Sequence, residues 1–221
     1  MERRNFFKFV VAIYGLFGIS ANAKEAKQVK HINSPTMDKL CIIGIGGGGT
    51  NIVKEILKLD NTHIPIYLSS DYDLLNQKKS KHQIMLGWKE KSGLGCGGNA
   101  EYGKSLVNND IKNKLNELTK SMETVYVISS LGGGIGSGVT PEIVEHLKTL
   151  NKKVIAFVTI PFSFEGKKRM AVANNSMIKI KEYSDTLVIF NNDSLLSDAK
   201  GRGVKDTFKL TSGTFYRMMK S

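Results

Sequence analysis

The sequence predicts an α/β fold of three layers, a parallel sheet with helices on both faces. Short apolar runs of strand length recur along the chain, separated by segments of helical period, and the two kinds alternate. Glycine-rich turns stand where two of the strands hand over to helices. A length of 221 residues suits one sizeable core and not two full domains. In such a sheet, ligands sit beyond the carboxyl ends of the strands.

Residues 39–45 (KLCIIGI) form a short apolar run, the mark of a buried strand. Residues 52–59 (IVKEILKL) place Ile52, Ile56 and Leu59 on one helical face, with lysines opposite. Residues 64–70 (IPIYLSS) read as a second strand and residues 82–87 (HQIMLG) as a third. A helix is expected over 100–121, then a strand over 124–130 (TVYVISS). Residues 139–150 (VTPEIVEHLKTL) read as a helix with Pro141 suited to its first turn, where a missing N–H costs nothing. A strand over 153–160 (KVIAFVTI), a helix over 167–183, a strand over 186–190 (TLVIF) and a helix over 204–219 complete the series.

The amino terminus reads differently. Arg3 and Arg4 precede an apolar run over 6–19, which is short for a bilayer span, and Ala21-Asn22-Ala23 follows as an A-x-A pattern. The paired arginines before Phe6, Phe7 and Lys8 resemble a twin-arginine export signal over residues 1–23. That reading implies a periplasmic protein; the alternative is an uncleaved membrane anchor with the domain on the cytoplasmic side, or a cytoplasmic protein. Residues 24–38 are polar, hold Pro35, and read as a linker to a domain over 39–221.

Hydrophobic residues make up 41% of the chain and charged residues 24%, a globular composition that excludes disorder. The net charge of +12 suits an anionic partner, while lysines scattered along the whole chain also read as a solvated surface. No basic stripe interleaved with aromatics points to RNA, so nucleic acid is not an expected partner. Cys41 and Cys96 form neither a CxxC nor a metal spacing, so no disulfide framework or zinc site is expected.

The chemistry lies in the loops. Residues 44–51 (GIGGGGTN) let the backbone approach a phosphate, and the helix behind them offers free N–H groups and a positive dipole end. Gly44, Gly46 and Gly49 also fit the dinucleotide pattern G-x-G-x-x-G, with Asp71 as the ribose acid. The second loop, Gly132 to Gly138 (GGGIGSG), turns the argument away from a dinucleotide, because two glycine cradles imply one polyphosphate held twice. Neither run is followed by Gly-Lys-Ser/Thr, which excludes a P-loop. A third loop over 92–103 (SGLGCGGNAEYG) can close on a terminal phosphate. Residues 161–169 (PFSFEGKKR) bring a carboxylate to a strand end and an arginine to the next helical turn.

Taken in this order, GGGGTN, GLGCGGNAEYG, GGGIGSG, PFSFEGKKR and NND resemble the nucleotide-binding loops of FtsZ, the bacterial relative of tubulin. The likeness runs from about residue 39 to the end and implies the Rossmann-like sheet of the tubulin/FtsZ GTPase domain, ending near the family's central helix. It implies that Gly47, Gly48, Gly49, Thr50 and Asn51 hold the α- and β-phosphates of GTP or GDP. Gly95, Cys96 and Gly97 stand where the family senses the γ-phosphate, with Mg²⁺ accompanying GTP. Gly133, Gly134, Ile135, Gly136, Ser137 and Gly138 wrap the phosphates through backbone amides. Glu165 takes the ribose, Arg169 faces the nucleotide, Asn192 reads the guanine edge, and Phe208 stacks on the base.

Three departures from the pattern matter. Ile135 replaces a threonine and removes one hydroxyl donor near the phosphates. Ser212 stands where the last helix of the family offers Asp or Asn to guanine, so base selectivity is weakened. The family's second domain, with the acidic loop that attacks a neighbour's GTP, is expected to be missing. No catalytic residue and no metal ligand is therefore assigned. The expected function is guanine-nucleotide binding with very low intrinsic hydrolysis. The alternatives are a GTPase completed in trans by FtsZ or another filament-forming partner, a filament-capping regulator of cell division, a degenerate fragment without nucleotide, and an NAD-type binder.

Overall fold

A computed structural model describes residues 13–14, 40–71, 82–87, 96–194 and 204–220. Among the described residues seven strands lie in one sheet: β1 (Ile13–Tyr14), β2 (Cys41–Ile45), β3 (Ile64–Ser69), β4 (Gln83–Met85), β5 (Thr124–Ser130), β6 (Lys153–Ile160) and β7 (Thr186–Asn191). Their order is β1-β7-β6-β5-β2-β3-β4, and every pairing is parallel. Among the described residues the helices are α1 (Gly46–Leu59), α2 (Ala100–Ser105), α3 (Asn109–Thr119), α4 (Gly134–Thr149), α5 (Lys167–Tyr183) and α6 (Val204–Lys220), with a 3₁₀ turn over Ser163–Glu165. The three-layer parallel fold expected from the alternating pattern is the fold observed.

Side-chain alternation along the strands divides the core. Ile43, Ile45, Val125 and Val127 face a layer that includes α4 and α5, through Ile143, Val144, Leu147, Ala173 and Ile180. Ile42, Tyr67, Ile128 and Phe157 face α1 and α6, through Ile52, Val53, Ile56, Phe215 and Met219. Both faces are buried, which is why the strands read as continuous apolar runs. Phe215 anchors α6: its ring is fully buried, 4.9 Å from that of Phe157 and 4.7 Å from that of Phe190. Truncation there to alanine costs about 3–5 kcal/mol.

Three helix boundaries differ from the sequence expectation. The helix expected over 100–121 is two helices, because the Asn108 side chain accepts from Ile111 N at 3.0 Å and starts a second one. α1 begins at Gly46 and α4 at Gly134, so each glycine run supplies the first turn of its helix. Pro141 accordingly lies in the second turn of α4 and not in the first. Its missing N–H leaves the carbonyl four residues back, that of Ser137, without a helical donor. The Ser176 hydroxyl of α5 donates to that carbonyl at 2.8 Å.

The export-signal and linker readings fall on residues outside those described, apart from Ile13 and Tyr14, which pair with Ile189 and Phe190 at the edge of the sheet. Among the described residues no helix is long and apolar enough to cross a membrane.

Candidate phosphate-binding edge

The carboxyl edge of the sheet gathers the ends of β2, β5, β6 and β7. At Gly46 the chain leaves β2 with φ 70°, a left-handed conformation that favours glycine. The first turn of α1 then presses onto β5: a Cβ on Gly49 would collide with the Ile128 carbonyl oxygen, and one on Gly48 with Ser130 Oγ. Gly46 itself faces the second glycine run, where an added Cβ would lie 3.3 Å from Ile135 Cγ2 and 3.5 Å from Gly136 N. The two glycine loops are therefore in contact.

The head of α4 is packed as closely. A Cβ on Gly136 would collide with the Ser130 carbonyl oxygen, one on Gly138 with that of Ala100, and one on Gly134 with Cys96 Cβ. Gly47 and Gly133 differ, because an added Cβ at either meets nothing within 4 Å. Most of these glycines thus serve backbone packing, while Gly47 and Gly133 look into open space.

Helix capping separates this edge from the rest of the molecule. α2 and α3 are capped by Asn99 and Asn108, and carry Glu101 and Asp110 in their first turns. α1 and α4 have no side-chain cap and no acid in the first turn. α5 is also uncapped and opens with Lys167, Lys168 and Arg169. Cations at the positive end of a helix dipole are unfavourable unless an anion stands near. The uncapped first turns of α1 and α4 suit an anion, and of the three α5 cations Arg169 is already paired with Glu165.

The expected site residues take particular places. Thr50 is fully buried and its hydroxyl donates to the Gly46 carbonyl at 2.5 Å, while Asn51 is exposed. Ile135 packs into the core beside Gly46. Ser137 Oγ accepts from Gly132 N at 2.7 Å and shapes the turn before α4. Cys96 is buried and Gly97 is exposed beside the head of α4; Gly95 lies outside the described residues. Glu165 closes its own loop: Oε1 accepts from Phe162 N at 2.9 Å and Oε2 pairs with Arg169 Nη1. Asn192 follows β7 at the start of a helical turn and is buried, and Ser212 is buried on α6. Phe208 belongs to α6, but its side chain lies outside the described part.

Sequence reading missed the Asp193 tie. Its carboxylate accepts from Ser163 N at 3.0 and 3.1 Å and so joins the β6 and β7 loops. The NND run carried that signal, since an acid just past a strand end can tether a neighbouring loop. It also missed a cleft of about 400 Å³ between α2, α4 and α5, bordered by Gly97, Asn99, Lys104, Glu142, Lys168 and Lys179. Among the described residues, no group of three His, Cys, Asp or Glu side chains is placed to hold a metal ion.

Comparison with known proteins agrees with this geometry. Residues 39–200 match the model of the tubulin/FtsZ family, GTPase domain. The cell division protein FtsZ of Buchnera aphidicola is 34% identical over 169 residues, covering 76% of this chain and 44% of that protein. FtsZ from M. jannaschii superposes with a TM-score of 0.73 at 26% identity, covering 90% of this chain and 58% of that one. CetZ1 from Haloferax volcanii, in a GDP-bound monomer, shares the fold with a TM-score of 0.69 at 24% identity, over 81% of this chain and 58% of that one. The chain spans less than half the length of the Buchnera relative. By the family match and the shared fold, the chain belongs to the tubulin/FtsZ family, whose GTPase domain it carries over residues 39–200.

Proposed function

We propose that this chain is a guanine-nucleotide-binding module whose α1 and α4 heads hold the phosphates of GTP or GDP. The observation that carries the reading is the contact of Gly46 with Ile135 and Gly136, which brings two uncapped helix N-termini together. Backbone N–H groups of the two first turns, over 47–49 and 133–136, serve the phosphates, with Cys96 and Gly97 beside the terminal one; Ser137 N already donates to the Gly133 carbonyl at 3.1 Å. Glu165 retains lone pairs for a ribose hydroxyl beyond its bonds to Phe162 and Arg169. Asn192 and Ser212 serve the guanine edge and Phe208 the base. Mg²⁺ arriving with GTP would be held largely by phosphate oxygens and water. Chromatography of the nucleotide released from the purified chain by acid tests the reading: guanine nucleotides support it, and adenine or nicotinamide nucleotides overturn it.

Hydrolysis needs a group that orients the attacking water. Glu165 and Asp193, at the ends of β6 and β7, are tied into their own loops. Turnover by this chain alone is therefore expected at trace level, with a partner completing the site.

A second reading, docking of another protein on this edge, is favoured by Phe164. Its ring is 70% exposed and stacks on Phe162 at 4.9 Å. A filament-forming relative such as FtsZ is the expected partner. Phosphate release on mixing the two, and its loss on Phe164→Ala, tests this.

Arg3 and Arg4 before the apolar run, with Ala21-Asn22-Ala23 after it, support export of the folded domain. Lysine at both arginines, followed by measurement of periplasmic recovery, tests that reading.

A further inference from the structure

At the opposite edge of the sheet, one carboxylate holds the end of α6. Asp60, in the turn between α1 and β3, accepts from Thr62 N at 3.1 Å and Thr62 Oγ1 at 2.6 Å through Oδ1. Its other oxygen, Oδ2, accepts from Tyr216 Oη at 3.0 Å and from Lys220 Nζ at 3.0 Å, both on the last turns of α6. A third group approaches Oδ2: His63 Nε2 lies 3.6 Å away.

His63 is unusual in its setting. It is 8% exposed, and neither ring nitrogen has a hydrogen-bond partner. Its ring centroid lies 6.2 Å from that of Tyr216, and the Lys220 ammonium sits over the Tyr216 ring at 4.9 Å. Burial of the imidazole favours its neutral form, against the pull of the Asp60 carboxylate 3.6 Å away. Burial lowers its pKa below the ordinary value; Asp60 opposes that shift and Lys220 adds to it. Asp60 is held well below the usual carboxylate range, first by the Thr62 hydroxyl and then by Lys220. The groups facing the ring are thus Asp60 from its own turn, and Lys220 and Tyr216 from α6.

We propose that His63 is an acid-sensitive release for the carboxyl-terminal end of α6, its protonation loosening the hold of Asp60 on Tyr216 and Lys220. A charged ring claims the oxygen that both α6 groups use, and it places a second cation beside Lys220. The direction follows from linkage. The docked state prefers neutral His63, so docking is undiminished above the ordinary histidine pKa of about 6.5 and weakens as pH falls below it. The inference rests on this geometry and not on nucleotide binding.

The test uses the full chain. The His63 ring is titrated by NMR, and amide-exchange protection of 215–220 is compared with that of β5 at about pH 7.5 and about pH 5.5, after division by intrinsic rates. The expected result is a His63 pKa below the ordinary value and a loss of α6 protection of roughly three- to tenfold relative to β5. In His63→Leu, which cannot charge, the pH-dependent loss should vanish. A His63 ring that titrates at or above the ordinary value overturns the proposal, as does α6 protection that tracks β5. If His63→Leu does not fold, the two wild-type measurements decide alone.

Discussion

Gly46 and Ile135 meet across the carboxyl edge of the sheet, where a Cβ on Gly46 would lie 3.3 Å from Ile135 Cγ2. The contact joins the start of α1 to the start of α4 and fixes both heads against the end of β5. Isoleucine fills space at a point where the family pattern places a hydroxyl. On the proposed reading, phosphate recognition at this turn falls to the backbone; the glycines divide into those at which a Cβ would clash and those at which it would meet nothing.

That division makes the first prediction. A valine at Gly134 is expected to strain the fold by about 1–3 kcal/mol, because its Cβ would meet Cys96 and Asn99. Gly47→Val and Gly133→Val are the selective probes: both should keep urea stability within about 1 kcal/mol and weaken nucleotide binding at least about tenfold. Unaltered affinity in both variants would place the phosphates elsewhere.

Pro141 and Ser176 make the second. Ser176→Ala leaves the Ser137 carbonyl without a donor and should cost about 1–3 kcal/mol in urea unfolding. Pro141→Ala restores a backbone N–H at that point. In the Ser176→Ala background it should recover part of the loss, and additive losses in the double-mutant cycle would refute the pairing.

How far the sequence was legible follows from these particulars. The strands Thr124–Ser130 and Lys153–Ile160 and the helix Lys167–Tyr183 were readable to the residue, because apolar runs and helical period dominate there. The starts of α1 and α4 were not. Glycine has poor helix propensity, and those turns are packed against Ile128, Ser130, Cys96 and Ala100, which the local pattern does not reveal. The break at Asn108 was available as a capping signal, Asn followed by Asn-Asp, but the helical pattern on either side obscured it. The glycine loops were legible as turns where β2 and β5 hand over to helices. The Glu165–Arg169 pair and the Asp193 tie required knowing which loops adjoin.

Alkaline pH supplies the third prediction. Burial pushes the Cys41 thiol up to about 12 from 9.0, against the opposing charge of Lys152, and it pushes the Tyr67 hydroxyl up to about 12 from 10.0. Raised values mean that stability is complete below the unfolded-state values and falls as pH rises towards 12. Cys41 alone should remove about 1.4 kcal/mol at pH 10, a loss that Cys41→Ala lacks. Urea unfolding at pH 8 and pH 10 for both proteins measures it; equal slopes with pH would show that the thiol ionises freely in the fold.

The central claim is that the paired helix heads of α1 and α4 hold a guanine nucleotide. A competition titration of the full chain with GTP, GDP and ATP addresses it most directly. The prediction is saturable binding of one GTP or GDP per chain, with ATP weaker by about 1–3 kcal/mol, since Ser212 offers guanine less than a longer polar side chain does. Equal affinity for ATP and GTP would contradict the guanine assignment, and no saturable binding of any of the three would contradict the site.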